Sequence, residues 1–226
     1  MSSSAVLAID GPAGAGKSTV SRSVAEALDL PFLDTGAMYR AVTLAALRSG
    51  VALDDPVRCR EIAAAVVIDL EGGTTFLDGE DVSVPIRTPE VTAGVSIVAA
   101  HPLVREGLVA HQRRWAEHHA GGVVEGRDIG SVVFPDANCK VFLVASVQER
   151  ATRRQRDEAA AGRTVDLDTL VADIERRDSL DSGRAASPLV RAAGATEVDT
   201  TSRTIEAVVA DIVALYRKFN GEQDRS

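Results

Sequence analysis

The stretch that most constrains this chain is Gly11-Pro12-Ala13-Gly14-Ala15-Gly16-Lys17-Ser18, which fits G-x-x-x-x-G-K-[ST] and follows the apolar run Ala5 to Ile9. Its glycines let the backbone turn tightly and aim successive N–H groups inward, and a helix expected to start near Lys17 adds the positive end of its dipole. Such a loop cradles phosphates. Lys17 can then reach the β and γ phosphates of a nucleotide, and the Ser18 hydroxyl can take a place on Mg2+. The surrounding pattern supports a true site over a chance match. A buried-type strand precedes the loop, and Val20, Val24, Ala25 and Leu28 follow it at helical spacing.

With 226 residues and 45% hydrophobic content, the chain can build one large α/β core or a core with one insertion. The formal charge of −8 argues against duplex nucleic acid as a partner, although 22 of the 25 basic residues are Arg, the better bidentate phosphate ligand. Cys59 and Cys139 form no C-x-x-C and have no nearby His set, so neither a disulfide framework nor a zinc site is expected, and a reducing cytoplasm fits. No stretch approaches 18 uninterrupted apolar residues and Met1-Ser2-Ser3-Ser4 lacks a basic region, so no membrane association or export is expected.

Along the chain, strands are expected at 5–10, 32–34, 123–125, 140–145 and 196–199, separated by helical patterns. That alternation predicts a five-stranded, mainly parallel sheet with helices on both faces and its ligand-binding edge at the strand C-termini. Residues 66–71, 74–77 and 80–84, broken by Gly72-Gly73 and Asp78-Gly79, read as an antiparallel patch. We therefore expect a core of residues 1–58 and 102–226, a lid at about 150–163, and an inserted α+β subdomain at 59–101 that binds the second substrate.

Arg150, Arg153, Arg154 and Arg156 crowd one helix, and Arg176, Arg177 and Arg184 form a second cluster with Asp178 and Asp181 interleaved. Such a run can be a solvated face screened by Glu149, Asp157 and Glu158. Beside a phosphate loop it also reads as cations for a polyphosphate: Arg154 for the group in transfer, Arg153 and Arg156 for the donor nucleotide. Arg127 lies near the end of a buried strand, after Gly126, where backbone can approach a ligand closely. The four histidines show no ligand spacing and are read as structural. No general base emerges. None is needed if the acceptor is a phosphate monoester, whose second pKa is about 6, because its oxygen is already ionised at pH 7.

Several blocks in order resemble the bacterial cytidylate kinases, within the P-loop nucleoside monophosphate kinases: Asp34-Thr35-Gly36-Ala37-Met38-Tyr39-Arg40, Ile86 to Val91, Gly126-Arg127-Asp128-Ile129-Gly130 through Ala137, and Arg176 through Leu189. The resemblance implies phosphoryl transfer from ATP to CMP, with dCMP also accepted, assisted by Mg2+, by a cytoplasmic monomer. It implies that Gly11 through Thr19 bind ATP and that Lys17, Arg127, Arg184 and Arg154 are catalytic. Thr35, Tyr39, Arg40 and Arg127 would hold the acceptor, with Arg184 placed between donor and acceptor phosphates. Ser96, Arg105 and Asp128 would read the cytosine edge, and Arg177 with Asp181 the ribose. Asp34 is expected to help Ser18 hold the metal through water. The remaining readings are another small P-loop kinase, for a different nucleotide or shikimate, and a non-catalytic nucleotide-dependent regulator. A guanine-reading N-K-x-D is absent from the sequence.

Overall fold

The computed structural model describes residues 6–183 and 187–221, with side chains as far as residue 219. In chain order the first elements are β1 (Val6–Asp10), α1 (Lys17–Leu28), β2 (Phe32–Asp34), α2 (Thr35–Arg48) and α3 (Pro56–Ala65). The short strands β3 (Ile68–Glu71), β4 (Thr74–Leu77) and β5 (Glu80–Asp81) follow, then α4 (Pro89–Val98) and α5 (Pro102–His118). The chain closes with β6 (Gly122–Gly126), β7 (Cys139–Val144), α6 (Val147–Ala160), α7 (Leu167–Ser182), β8 (Thr196–Asp199) and α8 (Ile205–Gly221). It divides into two compact units, Met1–Phe32 with Ala116–Ser226, and Leu33–Trp115.

A five-stranded sheet runs in the order β2-β6-β1-β7-β8, of which β6, β1, β7 and β8 belong wholly to the first unit. The β1–β6, β1–β7 and β7–β8 pairings are parallel. β1 is buried along its whole length, as a central strand covered on both faces must be. Leu7, Ile9, Val141 and Leu143 pack with Val20 and Val24 of α1 and Val208 and Ile212 of α8. The intervals of four residues in both helices put these pairs on one stripe, so each helix buries one face. Burying each such side chain contributes about 1.5–3 kcal/mol. A smaller cluster joins α6 to α7 through Ala151, Leu170 and Ile174, with Val147, Val165, Leu167 and Val171 against it.

The second unit contains α2 to α4, the antiparallel sheet β3-β4-β5 and nearly all of α5. It is wider than the expected 59–101 because α2 packs against α3, α4 and the 3-10 turn Pro85–Arg87. The packing of α2 on α4 passes through Gly94, where an added Cβ would lie 2.3 Å from a Leu53 methyl and 3.3 Å from the Thr43 methyl. The third strand is shorter than the expected 80–84. After Asp81, Ser83 turns away to accept from the Thr75 N–H, and Asp81 accepts from the Ser83 N–H. A second departure follows β6, where Ile129–Val133 forms one π-helical turn that the sequence pattern does not announce.

Candidate active site

In the first unit the glycine loop runs from the C-terminal end of β1 into α1. Gly11 has φ +151, and a Cβ there would sit 2.3 Å from the carbonyl oxygen of Leu143 on β7, so the loop can leave the sheet at this point only as glycine. Gly16, in the left-handed conformation, precedes α1 and no side chain caps that helix, which leaves its first N–H groups for an anion. Ser18 and Thr19 lie on the first turn of α1. Lys17 donates to the Pro12 carbonyl at 2.8 Å.

The charges around the Lys17 ammonium are crowded. Burial, and then the Arg127 guanidinium, pull its pKa down to about 7, with Arg177 acting in the same direction and Glu125 and Asp10 opposing. Asp10, the last residue of β1, is 3% exposed, and burial pushes its carboxyl up to about 6 despite bonds from two backbone N–H groups. Glu125, the neighbouring carboxylate near the end of β6, is also buried. An anion drawn to this site would favour the charged form of Lys17.

Arg127 donates to the Gly11 carbonyl and pairs through Nε with Asp181 at 3.1 Å. Arg177 reaches the same Asp181 oxygen at 3.9 Å. Three of the residues expected to hold the acceptor are therefore gathered beside the start of the phosphate loop, and Asp128 is buried next to Arg127. Arg184 lies outside the described residues.

The arginines of α6 separate into different roles. Arg150 is buried, donates to the Ala13 carbonyl at 3.1 Å and the Ala145 carbonyl at 3.2 Å, and pairs with Asp178 of α7 at 2.6 Å. It braces the loop's backbone. Arg153 lies 3.4 Å from where a Gly16 Cβ would be, but its guanidinium donates to the Thr200 hydroxyl at 3.0 Å, the Thr200 carbonyl at 2.7 Å and Glu149 at 3.0 Å. Thr200 in turn donates to the Ala15 carbonyl at 3.1 Å. Arg154 pairs with Glu158 at 3.0 Å, and Arg156 is exposed. Arg150, Arg153 and Arg154 thus each meet a different carboxylate.

In the second unit, Asp34 accepts from the Ala37 N–H at 2.9 Å and so caps α2. That commits its Oδ1 to the helix. Thr35 and Tyr39 are buried on the same helix. One Arg40 nitrogen, Nη1, donates to the Ile86 carbonyl at 3.0 Å and the Thr92 hydroxyl at 2.9 Å. Arg105 is buried with its guanidinium carbon 5.6 Å from the Tyr39 ring centroid, and Ser96 is buried on α4. His101 contacts the Leu53 carbonyl through Nε2 at 2.7 Å, a structural bond.

Asp10 is the functional candidate that the sequence pattern passes over. It reads as the polar end of a strand, although a carboxylate closing a fully buried run has to find donors, and that requirement was its signal.

A parallel sheet with a glycine-rich phosphate loop after its central strand, a lysine at the head of the following helix and arginines around it defines a P-loop kinase. The cytidylate kinase family model matches residues 7–218. A cytidylate kinase of Desulforamulus reducens is 52% identical over 215 residues, covering 94% of this chain and 96% of that protein. Another, of Caldanaerobacter subterraneus subsp. tengcongensis, is 50% identical over 212 residues, covering 94% of each. An uncharacterized protein from Eubacterium ventriosum superposes with TM-score 0.55 at 12% identity, covering 95% of this chain and 99% of that one, a likeness of fold alone. The chain belongs to the cytidylate kinase family.

Proposed function

We infer that this protein transfers the γ-phosphoryl group of ATP to CMP, giving ADP and CDP, and that it accepts dCMP as well. The observation that carries the reading is the family match along nearly the whole chain, on a structure that holds Arg127 against the first carbonyl of the phosphate loop. An oxygen of the CMP phosphate forms a bond to the γ-phosphorus while the bond to the β–γ bridging oxygen breaks, and ADP leaves. The attacking oxygen is already ionised at neutral pH, so the protein supplies position and positive charge.

Lys17 meets the charge that builds on the donor's terminal phosphate, and the Gly11–Thr19 backbone holds the rest of the polyphosphate. Arg127 and Arg40 grip the acceptor phosphate; Arg184, by family resemblance, stands between the two phosphates. Ser96, Arg105 and Asp128 read cytosine, whose amino group donates and whose ring nitrogen and carbonyl accept. Arg177 and Asp181 hold the ribose, and Thr35 and Tyr39 complete that site. Arg153, Arg154 and Arg156 approach the donor from α6.

Mg2+ carried with ATP supplies charge on the transferring oxygens. Among the described residues no group of three or more His, Cys, Asp or Glu could hold a metal alone, which suits an ion bound mainly by phosphate. Ser18 would be one ligand. Glu125, whose charge reaches Lys17, fits the water-mediated role better than Asp34. Among the described residues no single helix is long and apolar enough to cross a membrane. We place the protein in the cytoplasm as a monomer that binds no nucleic acid.

The test is ADP formation from ATP and Mg2+ across CMP, dCMP, UMP, AMP, GMP and shikimate. CMP and dCMP should dominate. Turnover with UMP or AMP at or above that with CMP overturns the cytidine assignment, and no turnover with any acceptor overturns the enzyme.

A further inference from the structure

The segment that carries Arg127 and Asp128 is held from a distant part of the chain. Asp10 Oδ1 accepts from the Ile129 N–H at 2.8 Å and Asp10 Oδ2 accepts from the Gly130 N–H at 2.8 Å. These two N–H groups open the π-helical turn Ile129–Val133, and Asp128, the residue at its head, makes no capping bond to it. A helical turn must find partners for its first donors, and a side chain at its own N-terminus is the usual source. Here the partner comes from β1, 119 and 120 positions earlier in the sequence. We propose that Asp10 is a positioning residue for the acceptor nucleotide: by capping the Ile129–Val133 turn from β1, it fixes where Arg127 and Asp128 stand relative to the phosphate loop.

The phosphate loop has supports of its own besides this carboxylate, whose charge also reaches Lys17. Its carbonyls at Pro12, Ala13 and Ala15 are met by Lys17, Arg150 and Thr200, and β1 is paired on both sides by β6 and β7. The Arg127–Asp128 segment, in contrast, leaves β6 at Gly126 and is gathered again at Ile129 and Gly130, the two residues bound by Asp10. Loosening Asp10 should therefore disturb the acceptor more than the donor.

Both oxygens accept, so the ionised form makes the stronger cap. A proton turns one oxygen into a hydroxyl, a weaker acceptor that brings a buried donor of its own. The charges acting on Asp10 are Asp128, which favours the protonated form, and Lys17 of α1, which opposes it; burial acts more strongly and brings the carboxyl up to about 6. Glu125 near the end of β6, Arg127 and Arg177 of α7 act on Lys17 and so belong to the same charge group. The cap is strongest well above pH 6 and weakens as the pH falls through that value.

The assignment rests on the reading of Arg127 and Asp128 as acceptor ligands, so the test separates the two. In Asp10→Asn the amide presents one acceptor and one donor to two N–H groups, which leaves a buried donor unmet. The KM for CMP should rise about tenfold, with the KM for ATP changed less than about threefold. In 15N-labelled full-length wild type, the Ile129 and Gly130 amide signals should titrate together near pH 6, and in Asp10→Asn that titration should vanish. The titration needs no substrate, so it reads the cap in wild type even if the variant does not fold. Equal changes in the two KM values, or none, overturn the positioning role, and wild-type Ile129 and Gly130 amides that exchange with solvent as fast as unprotected N–H groups overturn the cap. Arg127→Ala is the control for the underlying reading: if it leaves CMP kinetics unchanged, the acceptor assignment has failed, whatever the amides show.

Discussion

The two compact units handle buried charge in opposite ways. Among the described residues, the first unit buries Asp10, Glu125, Asp128, Arg150, Glu158 and Asp181, whereas the second buries a single charged side chain, Arg105. Buried ions are costly unless paired or hydrogen-bonded, so a fold that sets Asp10, Glu125, Arg127 and Arg177 around one lysine is prepared for a change of charge there. A unit with one buried arginine over a tyrosine ring, beside buried Ser96 and Thr35, is arranged for shape and hydrogen-bond matching instead. On the function proposed above, the transfer chemistry falls to the first unit, which also supplies Asp128, while Ser96 and Arg105 of the second serve base recognition, and each claim can be broken separately.

The largest effect should come from the centre of the charged unit. Lys17→Ala removes the cation nearest the group in transfer and should lower kcat by about 100- to 1000-fold with CMP and with dCMP alike, as loss of one preorganised electrostatic contact commonly does. Steady-state kinetics with both acceptors reads it. A loss confined to one acceptor would place Lys17 in recognition and blur the division.

Next in size is the brace. Arg150→Ala strands Asp178 and releases the Ala13 and Ala145 carbonyls, and with Arg150 5% and Asp178 25% exposed at their side chains the pair is only partly screened. We expect a loss of about 2–3 kcal/mol in denaturant unfolding together with a higher KM for ATP. An unchanged KM for ATP with lowered stability would show that the loop keeps its shape without the brace.

In the second unit, Arg105→Ala should raise the KM for CMP about tenfold while kcat changes less than about threefold and the KM for ATP stays level. A kcat loss as large as that of Lys17→Ala would mean that transfer chemistry reaches into this unit.

Much of this division was legible in the residues. The buried run ending in Gly11 to Ser18 locates β1, the loop and α1, since a fully apolar strand and a helical stripe have different periods. The motif blocks contain Arg40 and Arg127, and the resemblance that they carry implies Ser96 and Arg105. The uses of Arg150 and Asp34 were not legible, because a guanidinium can equally meet a phosphate or a backbone carbonyl, and a carboxylate can equally meet a metal water or a helix N–H. The choice is made by tertiary neighbours such as Asp178 and Ala13. The Ile129–Val133 turn was hidden for the same reason, since its cap lies on another strand. The extent of the second unit escaped because the side of α2 that meets α4 depends on the close approach at Gly94.

The smallest effect is also the most direct reading of the charged unit. With Lys17 near 7 in the free protein, the side chain is mostly neutral at pH 8, since burial and Arg127 disfavour its charge. The negative charge of bound ATP outweighs both influences and raises that pKa, so binding at pH 8 should take up close to one proton, falling to about half a proton at pH 7. Because uptake accompanies binding, ATP affinity should fall as pH rises above about 7, by up to about tenfold per unit. Phosphate groups with pKa about 6 and Asp10, also near 6, are already ionised at pH 8, so the signal there belongs to Lys17. Calorimetry in buffers of different ionisation enthalpy measures the proton count. Lys17→Arg, whose guanidinium stays charged throughout, should bind ATP with no uptake. If wild type also takes up none, Lys17 is already charged in the free protein, and the first unit does not hold its buried charges in wait for the anion.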